Sequence, residues 1–529
     1  MFVQKVTKKV GDKVYVSYLL MENYREGDKV KHRIISNISK WPEKLIFQFE
    51  DLLKGKAITS LEDLNYAQGK SCGGIIVVKE IAKRLGIIEA LGNDKDGLLA
   101  LLQITGRIFT QGSRLHLAES WSKNHAVSEV LNIENFDEDD LYANLDWLTN
   151  NQTEIEKIIF KHRCKGSISE IYLYDVTSSY FEGTKNELSE FGYNRDGKKG
   201  KKQIVIGLLC DKEGYPVSVE VFEGNTNDTK TVSNQLKKLK EEFGVERVVF
   251  IGDKGMIKQQ QIDTITSDDY KWNYITTITK AQIETLLNKH VIQLSMFDDE
   301  LTEVTDNDIR YILRRNPIRA DEINETRISK IKKIEDKIQL KNQYLQEHPK
   351  ANVSTAQQEM LKLINRLKAD KFINCFNEGR TLYINIAKED ELKELAKLDG
   401  CYVIKTDLPK DTIDKDTIHK RYKDLALVES AFRIEKTTLE EIRPIYVRKK
   451  SRTRGHVFVC MLAYIIIKYI IDTTETLGYT KKHILDSLDS IQYMKYNFEK
   501  KAVKILPSEL MEHQMKMLEK LNIKLPRYL

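Results

Sequence analysis

Prolines are scarce, eight in 529 residues, and the 26 glycines are thinly spread, which excludes long Pro- or Gly-rich linkers. The six cysteines, Cys72, Cys164, Cys210, Cys375, Cys401 and Cys460, form no Cys-x-x-Cys pair. Neither a zinc site nor a disulfide framework is therefore expected, and a reducing cytoplasm is the default compartment. No Walker loop occurs, which removes a nucleotide-driven motor and a nucleotide cofactor. Met1-Phe2-Val3-Gln4-Lys5 opens no signal peptide. The strongest apolar run, Val457–Ile471, is short for a bilayer and carries Lys468, so a buried helix is expected and no membrane partner. A dominant charge is missing as well: 85 Lys and Arg against 79 Asp and Glu leave +6, which permits a nucleic-acid partner without demanding one.

What the chain does have is length for several cores and a clear change of period along it. Residues 13 to 38 alternate, as in Val14-Tyr15-Val16-Ser17-Tyr18, around the turn Arg25-Glu26-Gly27-Asp28, and read as a β-hairpin. From about 76 to 165 the period is helical, with Ile76, Val77, Ile81, Leu85 and Ile88 on one stripe. Between 170 and 280 the pattern is strand (Ile171–Val176), strand (Ile204–Cys210), strand (Pro216–Phe222), helix, strand (Val248–Gly252), helix, strand (Tyr274–Thr279). Continuous apolar strands predict a sheet covered by helices on both faces. Residues 281 to 398 interrupt this order with a charged antiparallel helical pair, Ile331, Ile334, Ile338 and Leu345 on one arm and Met360, Ile364 and Leu367 on the other. Strand Cys401–Thr406, a helix from about 417 to 436, a basic loop, the apolar helix and a mostly helical tail complete the chain.

Two of the apolar strands run into an aspartate, Asp175 and Asp253. A carboxylate past the carboxyl end of a buried strand is unfavourable unless something compensates it. The strand order resembles the ribonuclease H-like fold, in which the first and fourth strands lie side by side, so the two carboxylates would meet. On the later helix Tyr422, Glu429 and Lys436 fall seven apart, drifting only about 20° per step, and share a face, with Arg433 one turn beyond Glu429.

These segments resemble the bacterial insertion-sequence transposases of the DDE type, in the group with the signature Tyr-x2-Arg-x3-Glu-x6-Lys. Tyr422, Glu429 and Lys436 match it, while the arginine position holds Leu425. Asp175-Val176-Thr177-Ser178, Phe222-Glu223-Gly224-Asn225-Thr226, Asp253-Lys254-Gly255-Met256 and Gly455-His456 extend the likeness over about 170 to 475. The resemblance implies an α/β fold: a ribonuclease H-like, mixed five-stranded sheet with helices on both faces, interrupted by a largely helical insertion and preceded by a β-hairpin and helical region. It implies the divisions 1–60, 61–165 (end-DNA binding), 166–280, 281–398 (insertion), 399–475 and 476–529 (helical tail). Asp175, Asp253 and Glu429 would bind two Mg²⁺, or Mn²⁺, for DNA cleavage and joining. The partners would be double-stranded DNA, as terminal inverted repeats and target, and a second protomer in a homodimeric synaptic complex; the setting would be the bacterial cytoplasm at the nucleoid. Tyr422, Arg433 and Lys436 would sit beside the DNA. So would two basic clusters, Arg195, Lys198, Lys199, Lys201 and Lys202, and Arg448, Lys449, Lys450, Arg452 and Arg454, through salt-dependent phosphate contacts.

Plainer readings stand beside these. An aspartate after a strand also serves as a helix cap or turn residue. Asp424 and Glu435 share the helix with Glu429, basic runs also make solvated loops, and His456 fits packing as well as catalysis. Trp272 suits either base stacking or the core. A ribonuclease H-like nuclease without strand transfer and a DNA-binding regulator with a decayed site are the alternative functions.

Overall fold

The computed structural model describes residues 1–11, 13–55, 65–164, 170–193, 195, 197, 198, 200–298, 300–436, 442, 443, 447–498, 501–507 and 509–529. They form two compact units. One comprises Met1–Ser71, Ile491–Met511 and Lys524–Leu529; the other comprises Cys72–Ser490 and Glu512–Ile523.

In the first unit, β1 (Phe2–Val10), β2 (Lys13–Glu26) and β3 (Lys29–Asn37) make an antiparallel meander. The hairpin expected over 13–38 is β2–β3; β1 adds a third strand, hidden because its lysines break the alternation of Val3, Val6 and Val10. Helix α1 (Glu43–Leu53) buries Ile46 against Tyr18 and Ile38. Strand β4 (Asn65–Ser71) pairs with Gln492–Phe498, which pairs in turn with Lys501–Ile505. The tail expected to be helical is thus partly a β-hairpin, with only Glu512–Lys520 as a further helix after it.

The second unit opens with helices α2 (Gly73–Arg84), α3 (Ile87–Leu91), α4 (Lys95–Phe109), α5 (Arg114–His116), α6 (Ser122–Asn124), α7 (Val127–Leu131) and α8 (Glu138–Arg163). Asp137 starts the last of these with a reciprocal capping pair to Asp140, and Lys161, His162 and Arg163 close it against the dipole. Next come β5 (Ile171–Tyr180), β6 (Gln203–Asp211), β7 (Pro216–Glu223), α9 (Asp228–Lys237), β8 (Val249–Ile251), α10 (Gln259–Ile265) and β9 (Asn273–Thr277). Their spatial order is β7-β6-β5-β8-β9, with β5, β8 and β9 parallel and β6 antiparallel to both β5 and β7, which is the ribonuclease H-like arrangement.

The sheet does not stop at five strands. The chain continues through α11 (Lys280–Asn288), β10 (Thr302–Asp306), β11 (Ile309–Arg315), α12 (Pro317–Glu347), α13 (Val353–Arg366), β12 (Ile373–Glu378), β13 (Thr381–Ile386), α14 (Glu389–Ala396) and β14 (Cys401–Thr406). Strand β14 lies antiparallel on β9, and β11 and β10 follow, so the sheet has eight strands. The insertion is largely helical, as expected, through α11, α12, α13 and α14, and it also carries the strands β10 to β13. Its strands escaped notice because Arg310 breaks the apolar pattern of β11. That side chain is buried, pairing with Glu303 at 3.0 Å and donating to the carbonyls of Leu408 and Ile413 at 2.8 and 2.9 Å. The helical pair is there as well: Ile334, Ile338 and Leu345 of α12 pack on Met360 and Ile364 of α13, over β12 and β13.

Five helices end the unit among the described residues: α15 (Lys415–Lys423), α16 (Leu425–Lys436), α17 (Lys450–Thr474), α18 (Lys481–Asp489) and α19 (Glu512–Lys520). One face of the sheet is sealed by Tyr172, Tyr174, Val176, Phe250 and Tyr274 against α9 and α10; α16 covers β5 and β6, and α17 packs on β7, α4 and α8. Val457 to Ile467 are all buried, so α17 is a core helix clad in protein. Its closest approach is at Gly455, where an added Cβ would stand 2.2 Å from the Leu145 carbonyl oxygen of α8. Neither backbone can yield cheaply. Gly455→Ala should therefore lose about 1–3 kcal/mol of stability in chemical denaturation; an unchanged midpoint would contradict this helix contact.

Candidate active site

The parallel ladder of β5 and β8 pairs Ile171 with Val249, Tyr172 with Phe250 and Leu173 with Ile251. Two residues further along each chain stand Asp175 and Asp253, and the charge of Asp253 is felt at the Asp175 carboxyl. Asp175 is not at the end of its strand, as expected, but inside β5 opposite Leu208 of β6. It is the parallel pairing that ends before it, because β8 turns away after Ile251. The turn is tight, with the Asp253 carbonyl accepting from the N–H groups of Met256 and Ile257, both at 3.0 Å. Since Tyr172, Tyr174 and Val176 enter the core on one face, Asp175 points to the other, the face that α16 covers.

The carboxyl of Asp175 is pushed up to about 6, first by burial and then by the negative charges of Glu429 and Asp253. The Val176 N–H, donating to Oδ1 at 2.7 Å, and the charge of Arg195 pull the other way. Burial likewise pushes the Tyr422 phenol up to about 12, and Asp253 and Glu429 add to the rise. Its hydroxyl lies 3.0 Å from Thr277 Oγ1 on β9. The structure thus gathers Asp175, Asp253, Glu429 and Tyr422 within one electrostatic neighbourhood. The expected single helix from 417 to 436 is broken at Asp424, whose carboxylate accepts from Arg421 at 3.1 Å. Leu425 begins α16 and is buried, so the arginine position of the signature faces packing.

Among the described residues no three His, Cys, Asp or Glu side chains stand close enough to hold a metal ion as they are. Burial raises the Asp175 carboxyl first, and the like charges of Glu429 and Asp253 add to the rise. Their chemistry fits a hard divalent cation, which would turn the repulsion into attraction.

A family model described as "Transposase DDE domain" matches residues 166–466, more than half of the chain. A second, "IS1634 family transposase, N-terminal domain", matches residues 3–63. The chain belongs to the DDE insertion-sequence transposases. A cryo-EM structure of a piggyBac transposase synaptic complex with hairpin DNA is similar at 10% identity and a TM-score of 0.37, over 79% of this chain and 78% of that one. No curated protein matches the sequence. As a DDE transposase the protein acts on DNA, cutting and joining strands with a divalent metal.

The basic clusters of the transposase are less free than their sequence suggested. Arg195 donates to Asp228 at 2.5 Å, Lys201 pairs with Glu182 at 2.7 Å, and Lys202 donates to the Ser189 carbonyl at 3.2 Å. Arg452 pairs with Asp146 at 3.0 Å, and Arg454 acts on the half-buried Glu220. Lys198 lies over the Tyr180 ring, and Arg448, Lys449 and Lys450 are exposed at the start of α17. Lys199 lies outside the described residues. Arg433 is exposed and its charge is felt at Lys481, whereas Lys436 ends α16 beside Glu435.

His456 is a packing residue, accepting from Arg114 at Nδ1 (3.1 Å) and meeting the Ile442 carbonyl through Nε2 (3.2 Å). Burial holds its pKa well below the usual histidine value. Trp272 is core, its indole N–H donating to the Glu246 carbonyl at 2.9 Å. Reading by motif missed Asp228, Tyr193 and Thr277. Asp228 opens α9 after the turn residues Gly224 to Asn227, and Tyr193 lies in the segment between β5 and β6.

Unfolded, the Asp175 carboxyl titrates near its ordinary 3.8; folded, at about 6. The folded state holds the proton more tightly, so stability falls as the pH rises from about 4 through about 6 and the full cost stands above that. Asp175→Asn should stabilise the metal-free transposase by about 1–3 kcal/mol at pH 8, the gain vanishing towards pH 4. Denaturation in a chelator across that range checks it; a gain independent of pH would refute the assignment.

Proposed function

We propose that Asp175, Asp253 and Glu429 are the catalytic carboxylates, holding two Mg²⁺ or Mn²⁺ ions, and that the protein cuts the terminal inverted repeats of its element and joins them to target DNA. The observation that carries this reading is that Asp175 and Asp253 both follow the β5–β8 ladder by two residues while α16, the helix of Glu429, packs on β5, so that the charges of Asp253 and Glu429 both act on Asp175. Bound there, the ion pair supplies activation of a water or 3′-hydroxyl and stabilisation of the leaving oxygen in an in-line displacement.

The chain's own groups do the rest. Tyr422, its hydroxyl against Thr277 of β9, walls the site on that side within the field of Asp253 and Glu429. Lys436 takes a phosphate near the cut, with Arg433 further along the same helix. Lys198, Lys199, Arg448, Lys449 and Lys450 follow the duplex backbone and give salt-dependent affinity. Arg452, Arg454, Lys201 and Lys202 serve chiefly to order the loops that carry those cations. The segment 61–165 reads the element's ends, 281–398 is an insertion into the catalytic region, and a homodimer assembles the two ends in the cytoplasm.

A labelled duplex carrying the flanking end sequence tests the proposal. Wild type should cut at the element boundary only with Mg²⁺ or Mn²⁺ and yield joined products. Asp253→Asn should lower cutting more than about 100-fold while still binding the duplex, since several kcal/mol of metal-borne stabilisation disappears. Cutting without joining would leave a nuclease. Binding without cutting by both proteins would leave a DNA-binding regulator.

A further inference from the structure

On α16, Val428, Ala431, Phe432 and Glu435 fall at i, i+3, i+4 and i+7, the spacing of a stripe that faces a core. Three of them are apolar. The fourth is a carboxylic acid, yet it is as buried as the rest. Glu435 is 0% exposed, and neither Oε1 nor Oε2 has a hydrogen-bond partner among the described residues. Its own carbonyl accepts from the Ile442 N–H at 2.7 Å. A buried carboxylate without donors is so costly that such a side chain takes a proton and becomes neutral. Burial accordingly pushes the Glu435 carboxyl up to about 8, while Lys436 pulls the other way. The negative end of the helix dipole also opposes a charge at this turn.

Glu435 stands apart from the cleavage carboxylates. It lies six residues past Glu429, about 240° round the helix, and it is not among the charges acting on Asp175. On β6, Cys210 feels Glu435 together with Asp211, Lys468 and Asp175, and burial keeps it a thiol. On α17, Lys468 pairs with Asp472 at 2.9 Å. His456 of the same helix reaches this turn through the Ile442 carbonyl, and burial keeps its ring neutral. On α15, Arg421 pairs with Asp424 at 3.1 Å. Among the described residues, Lys436 is the charged group whose field acts on Glu435.

We infer that Glu435 is a positioning residue for Lys436, holding a proton when Lys436 holds a phosphate, so that binding of DNA is coupled to uptake of a proton. The inference rests on the reading of Lys436 as a phosphate contact. With the carboxyl neutral, the Lys436 ammonium is left to an outside anion. Ionised, the carboxylate attracts that ammonium and competes with the phosphate for it. The phosphate in turn offsets the one field that favours the carboxylate and brings a negative charge of its own. Proton and phosphate therefore each raise the affinity for the other, and the coupling is reciprocal. The proton comes from solvent and returns to it when the DNA leaves.

Calorimetric titration in buffers of differing ionisation enthalpy counts that proton. Full-length protein in a chelator is titrated with a duplex carrying the flanking end sequence. The parent for every variant is Asp175→Asn, which removes the raised carboxyl of the cleavage site. At pH 8 the parent should take up about 0.4 proton per protomer bound, and its affinity should fall about fivefold from pH 7 to pH 9, if phosphate raises proton affinity tenfold. Glu435→Gln, and Glu435→Leu as the variant that completes the apolar stripe, should lose this uptake and keep the parent's pH 7 affinity at pH 9. Uptake unchanged in both variants would overturn the inference. So would lower affinity at every pH in both, which marks a purely structural carboxyl.

Infrared difference spectra between parent and Glu435→Gln read the proton without DNA. The C=O stretch of a protonated carboxyl should be present at pH 7 and fade as the pH passes about 8; its absence at pH 7 overturns the inference. Lys436→Ala separates the two readings. Should it leave affinity and salt dependence unchanged while the infrared band titrates, the phosphate contact falls and the coupling with it, and the buried proton stands. Should it weaken binding while both Glu435 variants behave as the parent, the phosphate contact stands and the coupling alone falls.

Discussion

The pairing of β5 with β8 is the constraint on which the site depends. Parallel strands in one register keep equivalent residues level, and a slip of one residue would send every side chain of a strand to the opposite face. Here the register is locked by bulk. Tyr172, Tyr174 and Phe250 enter one core with α9 and α10, and any slip would carry these large rings out of it. Asp175 inherits its direction from its neighbours Tyr174 and Val176. It is placed on the α16 face because they are placed on the other.

That placement is electrostatically costly, and the surroundings show how the cost is contained. Asp175 is largely buried and feels the charges of two carboxylates, while the Val176 N–H and the charge of Arg195 act as counterweights. Arg195 in turn is claimed by Asp228. Positive charge around the site is thus mostly committed to ordering loops rather than offered to solvent.

The helices behind the sheet have a different task. Helix α17 is apolar on all sides because α4, α8, α16 and β7 enclose it, and Gly455 lets it approach α8 at backbone distance. Its apolar composition reflects burial within protein, as its interrupting Lys468, paired with Asp472 at 2.9 Å, also indicates. At the far side of the sheet, the insertion joins by edge pairing through β11 and β14, and its helical pair with β12 and β13 keeps a small core of its own.

By itself the sequence determined the five central strands, their helices and the identity of the catalytic candidates. Those strands are continuous apolar runs, and the aspartates interrupt or end such runs, so local pattern sufficed. Glu429 was legible from heptad spacing on α16, although the break at Asp424 was not, since a one-residue break leaves periodicity almost intact. Only the tertiary structure decided which cations are free, that Arg310 is a core residue on a strand, and that β1, β10, β11 and the strands at 492–505 exist. It also decided that Asp228 holds Arg195. Ion pairs, strand edges and loop juxtapositions depend on partners distant in sequence, and no local period encodes them.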